Sequence, residues 1–177
     1  MELPKRKPNR LKNWDYSQPG SYFITVCTHG KRKLFGHVAC TAQTVGVIHE
    51  SPAIECILSE TGQIAKSELI NTADRFPNVE IENYVIMPNH IHLILTIKSD
   101  ERAIRESPLH GRSEVSKSIG YFKMNVSKRV HRTHPDMKVW QRSFHDHIIR
   151  DEQDYILVWE YIDNNPVKWE EDCFYCE

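Results

Sequence analysis

The sequence predicts an α+β domain, an antiparallel sheet with helices packed on one face. Three observations predict it. Residues 21–29, SYFITVCTH, place Tyr22, Ile24 and Val26 on one face of a strand and Phe23, Thr25 and Cys27 on the other. Residues 78–98 read as two further strands, broken at Pro88-Asn89. Apolar residues recur at helical spacing in three other stretches, and the order is strands, helix, strands, helix, helix.

Taken in order, residues 1–20 mix Pro, Asn, Lys and Arg and end in the turn signal Gln18-Pro19-Gly20, so an extended basic arm is expected, followed by a single domain over 21–177. Trp14 and Tyr16 suggest that the arm's second half packs on something. After the first strand a basic turn at 30–33 leads to a short strand near 34–38, and 40–52 carries little signal. A helix is expected from about Pro52 to Asn71 through Ile54, Ile57, Leu58, Ile64, Ala65, Leu69 and Ile70, with Gly62 a point where it could divide. Residues 99–111 are polar and charged, hence a loop. Residues 116–132 form an amphipathic helix with Ile119, Phe122, Val126 and Val130 on one side and Lys117, Tyr121, Lys128 and Arg132 on the other. The stretch VWQRSFHDHIIR is mostly extended, and Asp151 caps a last helix whose buried face carries Tyr155, Val158, Trp159 and Ile162.

Composition narrows the function classes. A formal net charge of −1 neither favours nor excludes a nucleic-acid partner, because a local patch binds phosphate. The distribution is uneven: residues 1–33 hold eight Lys or Arg against Glu2 and Asp15, and residues 110–150 hold nine against Glu114, Asp136 and Asp146. Five scattered cysteines without a secretory signal favour a reduced, cytoplasmic compartment. Cys173 and Cys176 lack the second ligand pair of a structural zinc site. No apolar run approaches the ~20 residues of a membrane span.

The chemistry starts at NYVIMPNHIHLIL. His90 and His92 share one strand face while Ile91, Leu93 and Leu95 share the other. Two imidazoles held at fixed spacing by a strand suit a divalent metal. A pair of surface histidines on a half-exposed strand fits the same spacing, so the pair alone leaves both open.

Four blocks then carry a resemblance over most of the chain: YSQPGSYFITVCTH, NYVIMPNHIHLIL, VWQRSFHDHIIRDEQDY and YIDNNPVKW. In this order they resemble the single-tyrosine IS200-like transposases, in the REP-associated branch. The resemblance implies a ferredoxin-like sheet carrying an HUH motif, here His90-Ile91-His92. It implies a Mg²⁺ or Mn²⁺ ion held by the two histidines and a third polar ligand, and single-stranded DNA with hairpins as partner. It also implies metal-dependent cleavage and rejoining by a tyrosine, in a cytoplasmic monomer or homodimer.

By the same resemblance the nucleophile is expected just after Trp140-Gln141-Arg142, where this chain has Ser143 and Phe144. A phenyl ring cannot attack phosphorus, so Tyr121 and Tyr155 are the candidate substitutes, and a silenced hairpin-binding protein is the alternative. Asp146 or His147 is the expected third ligand, and His145 or a metal-bound water is a further route to cleavage without a covalent link. Lys117, Lys128, Arg132, Arg142 and Arg150 are candidate phosphate contacts, and Trp14 and Tyr16 candidate base-stacking residues. A histidine-triad nucleotide hydrolase would need a further His at position 94, which is Ile.

Overall fold

The structure, a computed structural model, describes residues 16, 18–41, 53–99 and 113–175. In chain order the elements are β1 (Gly20–Cys27), β2 (Gly36–Thr41), β3 (Ala53–Leu58), α1 (Glu60–Arg75), β4 (Val79–Ile86), β5 (His90–Ile97), α2 (Glu114–Val130), β6 (His145–Ile148) and α3 (Glu152–Asn164). The main sheet is antiparallel, in the order β4-β5-β1-β6, and β2 and β3 form a separate hairpin. Without that hairpin and α3, the succession β-α-β-β-α-β is ferredoxin-like, as the resemblance implies.

β1 and β5 are the inner strands and pair along their whole length, from Gly20 with Ile97 to Cys27 with His90. Tyr22, Ile24 and Val26 of β1 and Ile91, Leu93 and Leu95 of β5 therefore face the same way. They meet Ala65 and Leu69 of α1 and Ile119, Phe122 and Val126 of α2. Each of these side chains is at most 1 % exposed, and burying one contributes roughly 1.5–3 kcal/mol. α1 and α2 thus cover one face of the sheet, and α3 covers the other, where Val158 and Ile162 pack on Ile94.

Two sequence expectations need correction here. The helix expected from Pro52 begins only at Glu60, because Ser59 caps it, its Oγ accepting from Gly62 N at 3.1 Å. The preceding Ile54 and Ile57 belong to β3, where register with β2 overrides their helical spacing. Tyr16 is buried in the core with its ring 5.9 Å from Tyr22, so it is not a platform for bases. Trp14 and most of the basic arm lie outside the described residues.

Gly62 does not divide α1; it lets the helix approach the hairpin. A Cβ there would stand 2.1 Å from the Phe35 carbonyl oxygen, whereas one at Gly120 in α2 would meet nothing within 4 Å. Gly62→Ala is expected to cost about 1–3 kcal/mol in urea denaturation, and Gly120→Ala to stabilise by up to about 1 kcal/mol. Equal effects of the two would contradict this packing.

Candidate metal and nucleophile site

Alternation along β5 turns His90, His92 and Ile94 away from the α1 and α2 core and toward α3. Both histidines are buried, at 0 % and 1 % exposure, with ring centroids 4.4 Å apart. Phe23 from β1 stacks on His92 at 5.1 Å, and Phe174 from the C-terminal segment covers His90 at 4.7 Å.

Asn89 sets the tautomer of His90. Its Nδ2 donates to the carbonyls of Lys31 (3.2 Å) and Phe174 (2.8 Å), which leaves Oδ1 to accept from His90 Nδ1 at 2.8 Å. His90 Nε2 then carries a lone pair, and it is buried with no hydrogen-bond partner among the described residues. Burial, with His92 adding, pushes the His90 pKa down to about 3, so the ring is neutral at neutral pH. Thr25 Oγ1 lies 2.8 Å from His92 Nδ1. With Nδ1 donating to that oxygen, His92 Nε2 faces the Tyr161 hydroxyl at 3.4 Å and Asp172 Oδ2 at 4.0 Å. Burial lowers the His92 pKa as well.

Tyr161 sits near the C-terminal end of α3, and its hydroxyl donates to Asp172 Oδ2 at 3.1 Å. Asp172 also accepts from Asn165 Nδ2 at 2.8 Å and from the Phe174 backbone N–H at 2.6 Å. Burial opposes charge on this carboxylate, but bonds from His92, Phe174 and Asn165 outweigh it and hold the pKa well below the usual range. The Tyr161 phenol is raised above its ordinary value, by burial first and by Asp172 second.

One ligand atom each from His90, His92 and Asp172 lie within 4.8 Å of one another. Two imidazole nitrogens and a carboxylate at this separation fit a divalent cation, and the orphaned lone pair of His90 is what such an ion would satisfy. Asn165, 2 % exposed, adds an Oδ1 that also lacks a hydrogen-bond partner among the described residues.

Residues 55–165, more than half of the chain, match the family described as transposase, IS200 like. The chain belongs to the IS200-like transposase family. An uncharacterized protein of Haemophilus influenzae is 35 % identical over 182 residues, covering 97 % of this chain and 94 % of that one. A second Haemophilus influenzae protein, provisionally named a REP-associated tyrosine transposase, is 26 % identical and covers 87 % of this chain and 74 % of its own. A solved REP-associated tyrosine transposase bound to a REP hairpin has a similar fold (TM-score 0.57, 22 % identity), covering 96 % of this chain and 74 % of that one.

Against this IS200-like framework most of the other expected site residues lie elsewhere. Phe144 packs against the α1 and α2 core, so the tyrosine at the histidines is Tyr161 and not a residue of the Trp140 block. Tyr121 sits edge-on to Phe76 at 5.6 Å, on the α1 and α2 side of the sheet. Tyr155 is on the α3 side, but its hydroxyl donates to Glu82 at 2.5 Å, and burial with that carboxylate raises its pKa to about 12. Asp146 pairs with Ile24 and so turns to the core face, which removes it as third ligand. His147 shares the site's face, yet it lies two strands from β5, about 10 Å, and its Nε2 meets Asp154 at 2.9 Å.

His145, opposite Thr25 in the register, is exposed on the site's face. Lys117, Lys128 and Arg132 belong to α2 or its end, across the sheet from the histidines, and do not surround them. Arg142 and Arg150 are exposed on either side of β6. Sequence reasoning missed Tyr161, Asn165 and Asp172. The signal for the first two was present: Tyr161 and Asn165 are four apart and lie on one helical face in the block YIDNNPVKW.

The folded His90 pKa is below the unfolded value of 6.5, so the unfolded state binds more protons and stability is lost as pH falls from 6.5 toward about 3. Metal-free protein is expected to lose about 2 kcal/mol from this group by about pH 5, and His90→Gln to flatten that part of the profile. Chemical denaturation across pH 4–8 measures it; an unchanged slope in the variant would contradict a buried neutral His90.

Proposed function

We propose that the chain cleaves and rejoins single-stranded DNA beside a hairpin by transesterification, with Tyr161 as the nucleophile. The observation that carries this reading is the Tyr161 hydroxyl, 3.4 Å from His92 Nε2 and 3.1 Å from Asp172 Oδ2. His90, His92 and Asp172 would hold the divalent ion, Mg²⁺ or Mn²⁺, with Asn165 Oδ1 beside them. When bound, the ion supplies positive charge that polarises the scissile phosphate.

The protein's own part is orientation and proton transfer. Asp172 holds the phenol by its proton, so that a lone pair of Tyr161 Oη is left for phosphorus. In the step a Tyr161 Oη–P bond forms and the P–O3′ bond breaks. The phenol proton passes along the Asp172 hydrogen bond, and the departing 3′-oxygen takes up one proton from bulk solvent, so that one proton is released and one consumed. Bond energy stays in the 5′-phosphotyrosine link, so rejoining is the same step reversed. Phe23 and Phe174 exclude water from the imidazoles, which keeps the phosphate from being hydrolysed in passing.

Family membership and the likeness to a hairpin-bound transposase support hairpin DNA as partner. Arg142 and Arg150 are the cations we assign to its backbone, since they flank the strand that shares the site's face. The silenced alternative rests on Phe144, and the place of Tyr161 beside the histidines supports the active reading instead. A cytoplasmic location accords with the free thiols of Cys27, Cys40, Cys56 and Cys173, and no helix among the described residues is long and apolar enough to cross a membrane.

A denaturing gel with labelled hairpin DNA, single-stranded flanks and Mn²⁺ tests the assignment. A protein-linked band is expected for wild type, Tyr121→Phe and Tyr155→Phe. Tyr161→Phe is expected to lose it by on the order of 10³-fold or more while keeping salt-sensitive hairpin binding. A band that survives Tyr161→Phe would assign the nucleophile elsewhere. Binding without a band in any variant, under any metal, would restore the silenced reading.

A further inference from the structure

A cavity of about 360 Å³ lies on the outer side of Tyr161, between the C-terminal half of α3 and the short 3₁₀ turn at Trp169–Glu171. It shares Tyr161, Asn165 and Asp172 with the histidine site and is otherwise lined by residues that the proposed chemistry does not use. Its volume is at the lower end of the range for small-molecule sites, enough for one nucleoside and too small for a duplex.

The lining selects the ligand's chemistry. Glu160, Glu171 and Asp172 face Lys168, the one cation among the described lining residues, so a phosphate is repelled and a neutral group carrying donors is admitted. A second cation site is not the explanation, since the metal-type cluster among the described residues consists of His90, His92 and Asp172, without Glu160 or Glu171. At the junction with the histidine site stands Asn165 Oδ1, an acceptor nine-tenths buried and without a hydrogen-bond partner among the described residues. Asn164 uses one amide hydrogen on the Glu160 carbonyl at 2.8 Å, which leaves it a second donor and its carbonyl acceptor. That donor and acceptor pair complements an adenine edge, and carboxylates accept from the cytosine amino group or from guanine N1–H and its 2-amino group. Leu157, 57 % exposed, supplies an apolar wall for a ring.

We propose that this cavity is a subsite for the nucleobase next to the scissile phosphate, and that it takes a base with an exocyclic amino group (adenine, cytosine or guanine) and disfavours thymine. The inference rests on the DNA-cleaving reading above. A strand whose phosphate meets the Tyr161 hydroxyl has its neighbouring nucleoside at the mouth of the cavity, because the two share that side chain. The acidic rim then acts on specificity: thymine, which has no amino group, would set its two carbonyls against the carboxylates, which costs affinity.

The test uses the full chain with Mn²⁺ and hairpin substrates that differ only in the base on each side of the cleaved bond. Cleavage and equilibrium binding are measured for all four bases, in wild type, Glu171→Gln and Asn164→Ala. Wild type is expected to cleave thymine substrates about tenfold or more less well than the other three at one of the two positions. Either variant is expected to narrow that preference while still forming the tyrosine link. Equal cleavage of all four bases, or a preference that both variants retain in full, would overturn the base subsite and leave the nuclease reading intact. Absence of any tyrosine-linked product on every substrate would overturn both, and the hairpin-binding arm would show that the protein was folded.

Discussion

The register between β1 and β5 is the constraint on which the rest of the structure depends. Thr25 opposite His92 and Cys27 opposite His90 put both imidazoles on the face away from α1 and α2. A slip of one residue would send Ile91, Leu93 and Leu95 into the α3 side and bury the histidines in the main core. Three fully buried aliphatic side chains, each contributing roughly 1.5–3 kcal/mol, oppose that slip. The site's ligand spacing is thus enforced by hydrophobic burial on the opposite face of the same strand.

Burial also explains why the site needs so many partners. An imidazole or carboxylate withdrawn from water is costly unless each polar atom is matched. Asn89 matches His90, Thr25 matches His92, and Tyr161, Asn165 and the Phe174 backbone match Asp172. Among the described residues of the site, His90 Nε2 and Asn165 Oδ1 have no hydrogen-bond partner; both are acceptors, and the unmet need is for positive charge or a donor. The same C-terminal segment that supplies Asp172 lays Phe174 over the rings. It is tied down by Asn89 to the Phe174 carbonyl and by Lys31 to the Cys173 carbonyl at 3.1 Å. With this segment in place, His90 is 0 % and His92 1 % exposed.

Local patterns made the sheet legible in advance, and long-range contacts hid much of the site. The strand containing His90 and His92 declared itself because alternation and a turn at Pro88-Asn89 coincide. The Asp151 cap was legible because an acid at an N-cap meets free backbone N–H groups, here Asp154 N at 2.9 Å. The start of α1 was misplaced because Ile54, Ile57 and Leu58 fit both periods, and only pairing with β2 decides between them. Tyr161 lies just off the apolar stripe of α3, so helical periodicity gives it no weight. No local pattern marks Asp172: it joins the histidines from 80 residues along the chain, through a segment with little regular structure. For Asp146 an extended sequence does not say which face the side chain takes, and only the pairing with Ile24 decides it.

All of the proposed chemistry depends on β5, α3 and the C-terminal segment building one ion site around the Tyr161 hydroxyl. Anomalous diffraction from crystals grown with Mn²⁺ tests it most directly. A single strong peak is expected within about 2.0–2.3 Å of His90 Nε2, His92 Nε2 and an Asp172 carboxylate oxygen, and its loss in His90→Ala. A peak held by other residues, or none at these three under saturating Mn²⁺, would contradict it.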